Sequence, residues 1–235
     1  MDDLPSCDFD SLPVEPIGLP DDPWLARRML SFGCSEIPAL LIAVGVCEPT
    51  PITPRYVTDL ARKLFGVKAG TRKPSKGGRA ASVGADVELE LLLAWNADTW
   101  SGYPPAVPSN VAPREWYPLV DRYCPRLSCT PDAWLHVEGE LVNVQVKTDQ
   151  HGGKKAPTRE WIQQVQGEMA VTGSSRTVIV YGGGWACDWR DQRAYPVAFE
   201  VPRDDEMIEV IRNAAREGWA KVEGIRATMK APRVA

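Results

Sequence analysis

PDAWLHVEGELVNVQVKT, residues 131–148, is the stretch whose reading decides the fold. Ala133–Val137 and Leu141–Thr148 are two short runs of strand-forming residues, the second alternating apolar and polar in the period-two pattern of a half-buried strand. Between them stands Glu138-Gly139-Glu140, a break with glycine where a tight hairpin turn needs a positive φ. In the second strand Val144 and Val146 point into the core, and Gln145 and Lys147 point the other way. The hairpin brings Gln145 alongside Asp132, at the beginning of the first strand. Two oxygen-bearing side chains and one ammonium are therefore expected to gather at a sheet edge.

That trio suits phosphodiester hydrolysis. Hard divalent cations take oxygen ligands, and Mg²⁺ is commonly held by one or two carboxylates together with water and substrate phosphate. Asp132, Gln145 and the backbone carbonyl of Val146 are candidate metal ligands, and Lys147 is a candidate to orient water or neutralise the developing oxyanion. Glu88, on the preceding helix in Gly84-x-x-x-Glu88, is a further candidate ligand. The same residues have a plainer reading: Asp132 as the cap of a turn, Lys147 as a solvated strand residue.

Outward from the hairpin, the pattern predicts a mixed α/β (α+β) core. Towards the N-terminus, helices are expected over residues 22–30, from Ser35 as N-cap to Gly45, from about Thr53 to Leu64, and over 84–97. Residues 66–83, rich in glycine, read as a mobile basic loop. Its Lys68, Arg72, Lys73, Lys76 and Arg79 are either DNA-backbone contacts or a solvated surface. Residues 97–126 read as a proline-rich connection. Trp95, Trp100, Trp116 and Trp134 would serve in core packing or in stacking on a DNA end. Towards the C-terminus, a helix over about Arg159–Thr172, a buried strand Thr177–Tyr181, an edge strand Arg193–Val201 with Pro196, and a helix over about Asp204–Glu223 complete the order. The organisation expected is an extended arm (1–22), one domain (23–225) and a tail (226–235).

The chain is 44% hydrophobic and 25% charged, enough apolar material for a core, and its net charge of −4 argues against a non-specific nucleic-acid coat while leaving room for a local basic groove. No apolar run approaches the length of a membrane span, and MDDLPSCDFD lacks a basic-then-apolar signal, so the expected place is a cytoplasm. The six cysteines form no CxxC pair, which disfavours a zinc finger or an iron–sulfur cluster.

Five further blocks occur in a recognisable order. They are Trp24-Leu25-Ala26-Arg27-Arg28 followed by Ser35-Glu36-Ile37; Gly84-x-x-x-Glu88; Ser128-Cys129-Thr130-Pro131-Asp132; Val144-Gln145-Val146-Lys147-Thr148; and the helix Gln164-Val165-Gln166-Gly167-Glu168-Met169. From about residue 24 to residue 220 the chain resembles the phage lambda exonuclease / YqaJ-type viral recombinase family. The resemblance implies a PD-(D/E)xK restriction-endonuclease-like core, with a mixed central sheet flanked by helices. It implies two Mg²⁺ ions (or Mn²⁺) per site and 5′-to-3′ digestion of linear double-stranded DNA for single-strand-annealing recombination. A ring-shaped homotrimer, a single-strand annealing protein as partner and the cytoplasm of a bacterial host belong to the same expectation. By matching, Arg28 and Ser35 would bind a 5′-phosphate, and Gln164 and Gln166 would line the site. Where the family usually has Glu, this chain has Gln145, an uncharged ligand, which gives Glu88 or Asp86 more weight. Two alternatives stay open: a RecB-like or CRISPR-associated nuclease on the same core, and a DNA-end-binding protein weakened catalytically by Gln145.

Overall fold

The computed structural model describes residues 29–72, 79–97, 102–109, 119–149, 154–183 and 196–230. In chain order its elements are β1 (Phe32–Gly33), a 3-10 turn (Cys34–Glu36), α1 (Ile37–Ala43), α2 (Arg55–Ala61), α3 (Leu64–Lys68), α4 (Arg79–Ala97), β2 (Val107–Pro108), β3 (Leu119–Asp121), β4 (Cys124–Cys129), β5 (Ala133–Val137), β6 (Glu140–Asp149), α5 (Arg159–Thr172), β7 (Arg176–Gly183), β8 (Val197–Pro202) and α6 (Asp205–Lys230). The expected arm over 1–22, and most of the helix expected over 22–30, lie outside the described residues.

The hairpin forms as its pattern requires. Val137 pairs with Glu140, and both turn residues take positive φ, Glu138 at 52° and Gly139 at 86°, the backbone of a two-residue turn that matches strand twist. The five-stranded sheet runs β2-β5-β6-β7-β8. β6 and β7 are parallel, with α5 as the crossover between them, and the other pairs are antiparallel. Strand β8 is an edge, which is where Pro196 and Pro202 are tolerated. Helix α5 starts at Thr158, whose Oγ1 accepts the Trp161 N–H at 3.3 Å, and stops at Gly173 in the left-handed region at φ 77°.

Alternation along the strands divides the core. Val142, Val144 and Val146 pack with Val178, Val180, Ala133 and Leu135 against Leu91, Leu92 and Trp95 of α4. Asn143, Gln145 and Lys147 face the opposite way, towards α5. Gly182 of β7 permits the α4 contact: a Cβ there would lie 2.1 Å from Leu91 Cδ2. Trp95 and Trp134 are both buried, so core packing is their role; Trp100 and Trp116 lie outside the described residues.

Several local expectations are corrected. Residues 97–126 contribute β3 and β4, which with β1 form a second sheet of order β1-β4-β3. Phe32 pairs with Leu127 across a long sequence separation, and the three-residue β3 pairs with β4 through an irregular register, neither of which local alternation reveals. Ser35 does not cap a helix; it sits within the 3-10 turn, and Glu36 Oε2 accepts the Gly33 N–H at 2.7 Å. The helix expected over 53–64 is two helices, α2 and α3. The basic segment is not one loop: Lys68 closes α3 and Arg79 opens α4. Helix α6 continues past Glu223 to Lys230.

Candidate active site

Strand β5 begins at Ala133, paired with Val144, so β6 runs on beyond it with an open edge. There the Val146 N–H donates to Asp132 Oδ2 at 2.8 Å. A strand residue's N–H and C=O point to the same side, so the Val146 carbonyl lies on this open edge as well. Gln145 Nε2 also donates to Asp132 Oδ2 and lies 3.4 Å from the Val146 oxygen. Both bonds land on Oδ2, and among the described residues Oδ1 is left without a partner.

Helix α5 supplies the other wall. Lys147 Nζ donates to Gln164 Oε1 at 3.0 Å. Gln164 Nε2 donates to Gln145 Oε1 at 2.9 Å and to Glu168 Oε1 at 2.8 Å. Asn143 Nδ2 donates to Glu168 Oε2 at 2.7 Å and to Thr177 Oγ1 at 3.2 Å. The two periodicities explain the cluster: Asn143, Gln145 and Lys147 alternate onto one strand face, while Gln164 and Glu168 are one helical turn apart.

Charge is unevenly distributed over this network. Burial pushes the Glu168 carboxyl up to about 7; Lys147 and the bonds from Asn143 and Gln164 pull it down, and Asp132 pushes it further up. Burial also raises Asp132, against the pull of Lys147, the Val146 N–H and Gln145. Glu88 is half-buried and raised to about 7 by burial and by Asp132, against the pull of Lys147. It stands on α4 one turn before Leu91 and Leu92, at the head of the stripe that packs on the sheet, and so reaches the site from the face opposite Gln145. Among the described residues, three carboxyls thus share the field of the Lys147 ammonium.

Among the described residues no three His, Cys, Asp or Glu side chains converge closely enough to hold a metal by themselves. The donor chemistry nevertheless fits a hard cation that keeps water and takes oxygen from substrate. Asp132 has an oxygen to spare, the Val146 carbonyl shares its edge, and Glu88 senses Asp132 across the site. Gln145 differs from expectation. Its Nε2 faces Asp132 and its oxygen faces Gln164, so it acts here as a donor that holds Asp132.

Other candidates fall in several places. Ser35 is exposed on its turn, and the neighbouring Cys34 feels the charge of Glu168. That turn and α1 lie tightly on α5, because Gly167 has no side chain: a Cβ there would be 1.9 Å from Ile37 Cδ1. Arg28 lies outside the described residues, as do Lys73 and Lys76. Arg72 is exposed, and the side chains of Arg79 and Asp86 are not described. Lys68 is corrected: it is 3% exposed and its Nζ meets Glu36 Oε2 at 2.7 Å, so it is not a surface contact for DNA. Gln166 is corrected too. It points some 200° round the helix from Gln164, and it bridges the Pro202 carbonyl at 2.8 Å and the Asp204 N–H at 2.9 Å. The residues that sequence reasoning missed are Glu168 and Asn143. The available signal was the spacing of Gln164 and Glu168, which puts both on one helix face.

No protein-family model matches the chain, and no curated protein matches it in sequence. Among solved structures it is similar to LHK-Exo, an alkaline exonuclease from Laribacter hongkongensis also solved in complex with dAMP. The TM-score is 0.63 at 16% identity, over 88% of this chain and 95% of that one. It is also similar to a phage-related exonuclease from Haemophilus somnus 129PT, with a TM-score of 0.59 at 12% identity, over 86% of this chain and 97% of that one. The chain has the fold of these exonucleases.

Proposed function

We propose that the chain is a divalent-metal-dependent deoxyribonuclease that digests linear double-stranded DNA from its 5′ ends. The observation that carries this reading is the open edge of β6, where Asp132, the Val146 carbonyl and Lys147 meet within an exonuclease fold. Asp132, Glu88 and the Val146 carbonyl would hold Mg²⁺ or Mn²⁺. When bound, the ion would supply positive charge to the phosphate and acidify water. Gln145 and the Val146 N–H fix the Asp132 carboxylate by its Oδ2. Lys147 is held at the site by a neutral amide oxygen, so its charge stays available to a phosphate oxygen as negative charge develops there.

The resemblance supports the finer parts of the proposal. These are two ions per site, a 5′-phosphate held at Arg28 and Ser35, a ring of three copies, and delivery of the product strand to a single-strand annealing protein in a bacterial cytoplasm. The test is incubation with linear duplex carrying 5′-phosphate or 5′-hydroxyl ends, in Mg²⁺ or in EDTA. Magnesium-dependent nucleotide release, faster from the 5′-phosphate, is the expected result. One observation favours a second reading: Gln145 offers Asp132 an N–H instead of adding a negative charge. End binding without digestion in either Mg²⁺ or Mn²⁺ would establish that reading and remove the first.

A further inference from the structure

Glu168 is 1% exposed, and its carboxylate oxygens are taken by the side-chain amides of Gln164 and Asn143. Among the described residues no salt bridge reaches it. A buried carboxylate held only by neutral amides is costly, and the amphipathic pattern of α5 has no need of one between Val165 and Met169, which are both buried. What the carboxylate does is give direction to the amides around it. Gln164 Nε2 is clamped between two oxygens, Glu168 Oε1 and Gln145 Oε1. Its own oxygen is thereby turned to Lys147, and the Gln145 amide is left with its N–H towards Asp132. With Gln164 turned over, its oxygen would face the Glu168 carboxylate and the Gln145 oxygen, and its NH₂ group would face the Lys147 ammonium.

We propose that Glu168 is a positioning residue of this site: through Gln164 it orients Gln145 and Lys147, and it carries on helix α5 the negative charge that position 145 lacks. The inference rests on the nuclease reading and deepens it. Position 145 stands beside Asp132 on the strand; Glu168 lies one amide, Gln164, further along the same chain of hydrogen bonds, at the same wall of the site. Gln164 connects the two places, hydrogen-bonding both Gln145 on the strand and Glu168 on the helix.

The test compares the wild type with Glu168→Gln, Gln164→Leu and the swap Gln145→Glu/Glu168→Gln. Mn²⁺ binding to the DNA-free protein is followed by electron paramagnetic resonance, and digestion is followed separately. Glu168→Gln keeps the volume and an acceptor oxygen but no longer dictates amide polarity. It is expected to weaken Mn²⁺ binding by at least about tenfold, the usual size of an effect passed through a ligand's own partner, and to lower kcat more than it changes KM. Gln164→Leu breaks the relay with Glu168 intact and is expected to do the same. The swap restores the charge count at the wall and should recover most of the Mn²⁺ affinity. Wild-type Mn²⁺ affinity in Glu168→Gln, or a swap that binds no better than Glu168→Gln, overturns the assignment alone. A wild type that neither binds Mn²⁺ nor digests DNA removes the nuclease reading, and this assignment with it.

Discussion

Near the C-terminal end of α5, Arg212 donates to both oxygens of Asp121, from Nε at 2.6 Å and from Nη2 at 3.3 Å, and reaches the Ala170 carbonyl at 3.5 Å. Its Nη1 meets Glu209 at 2.5 Å, and the Tyr123 N–H occupies Asp121 Oδ1 at 2.8 Å. Further along the same helix, and among the described residues, Asp132, Glu88 and Glu168 share the ammonium of Lys147, which hydrogen-bonds to none of them but to Gln164. Asp121, Arg212 and Glu168 are buried, Asp132, Lys147 and Glu88 only partly so, and the two clusters differ in how their charges meet. At Arg212, burial works against the charge, but the bonds to Asp121 and Glu209 hold the guanidinium above its ordinary value. At the Lys147 cluster all three carboxyls are raised. The guanidinium meets its carboxylates directly and serves the scaffold, whereas the proposed function would have the second cluster completed by a cation brought from outside.

The largest effect should come from the unbalanced cluster. Lys147→Ala is expected to lower DNA digestion by about a thousandfold, the scale on which a preorganised charge-stabilising group acts, while circular dichroism and the melting temperature show an intact fold. Activity surviving in that variant would end the distinction, because the Lys147 ammonium would then be scaffold too. The matched pair should behave in the opposite sense. Asp121→Ala leaves Arg212 without its bidentate partner and is expected to cost about 3–5 kcal/mol in chemical denaturation, with digestion per folded molecule unchanged.

Proton linkage gives the next, smaller effect. Glu88 and Glu168 each have an ordinary value of 4.5 and a folded value of about 7. The folded state therefore binds more protons than the unfolded state between these values. The stability each contributes is fully present below about 4.5 and is lost as the pH rises through about 7. In EDTA, the melting temperature should rise as the pH falls from about 8 towards about 5.5, opposite to a protein held by ion-paired carboxylates. Saturating Mg²⁺ should flatten the slope, since a bound cation favours the charged forms. A metal-free protein that loses stability over that descent would show that the carboxyls are compensated already.

The parts legible in sequence were those built on short-range patterns. The hairpin is readable because Val142, Val144 and Val146 alternate with polar residues next to a glycine turn; α5 forms over the expected Arg159–Thr172, between a Thr158 cap and Gly173 that the structure adds. The second sheet was not legible: β4 contains Pro125 and Arg126, and its partners β1 and β3 lie far away or are only a few residues long. Lys68 was misread because it was counted with the basic residues after it; Leu64 and Val67, buried at helical spacing, tie it to α3 instead. At the site, the face of Gln145 and Lys147 followed from strand geometry, whereas the direction of the Gln145 amide did not. That direction depends on Gln164 and Glu168, whose separation from the strand in sequence is closed only by the β6–α5–β7 crossover.

The pair Lys68–Glu36 lies between the two cases and gives the smallest and sharpest test. It is buried and matched, with 4% and 15% of the side chains exposed, so by the comparison it belongs to the scaffold. Yet Glu36 Oε2 also holds the Gly33 N–H, and the turn it closes carries the exposed Ser35. Glu36→Gln keeps a carbonyl oxygen for Gly33 and deprives Lys68 of the carboxylate it meets at 2.7 Å. The expected cost is about 1–3 kcal/mol, below that at Asp121 because one of the two bonds survives. If charge balance alone separates scaffold from site, digestion of 5′-phosphate and 5′-hydroxyl ends should keep the wild-type ratio in this variant. A ratio that falls while the fold persists would mean that a balanced ion pair can also serve the site, by setting the position of the turn proposed to hold the 5′-phosphate.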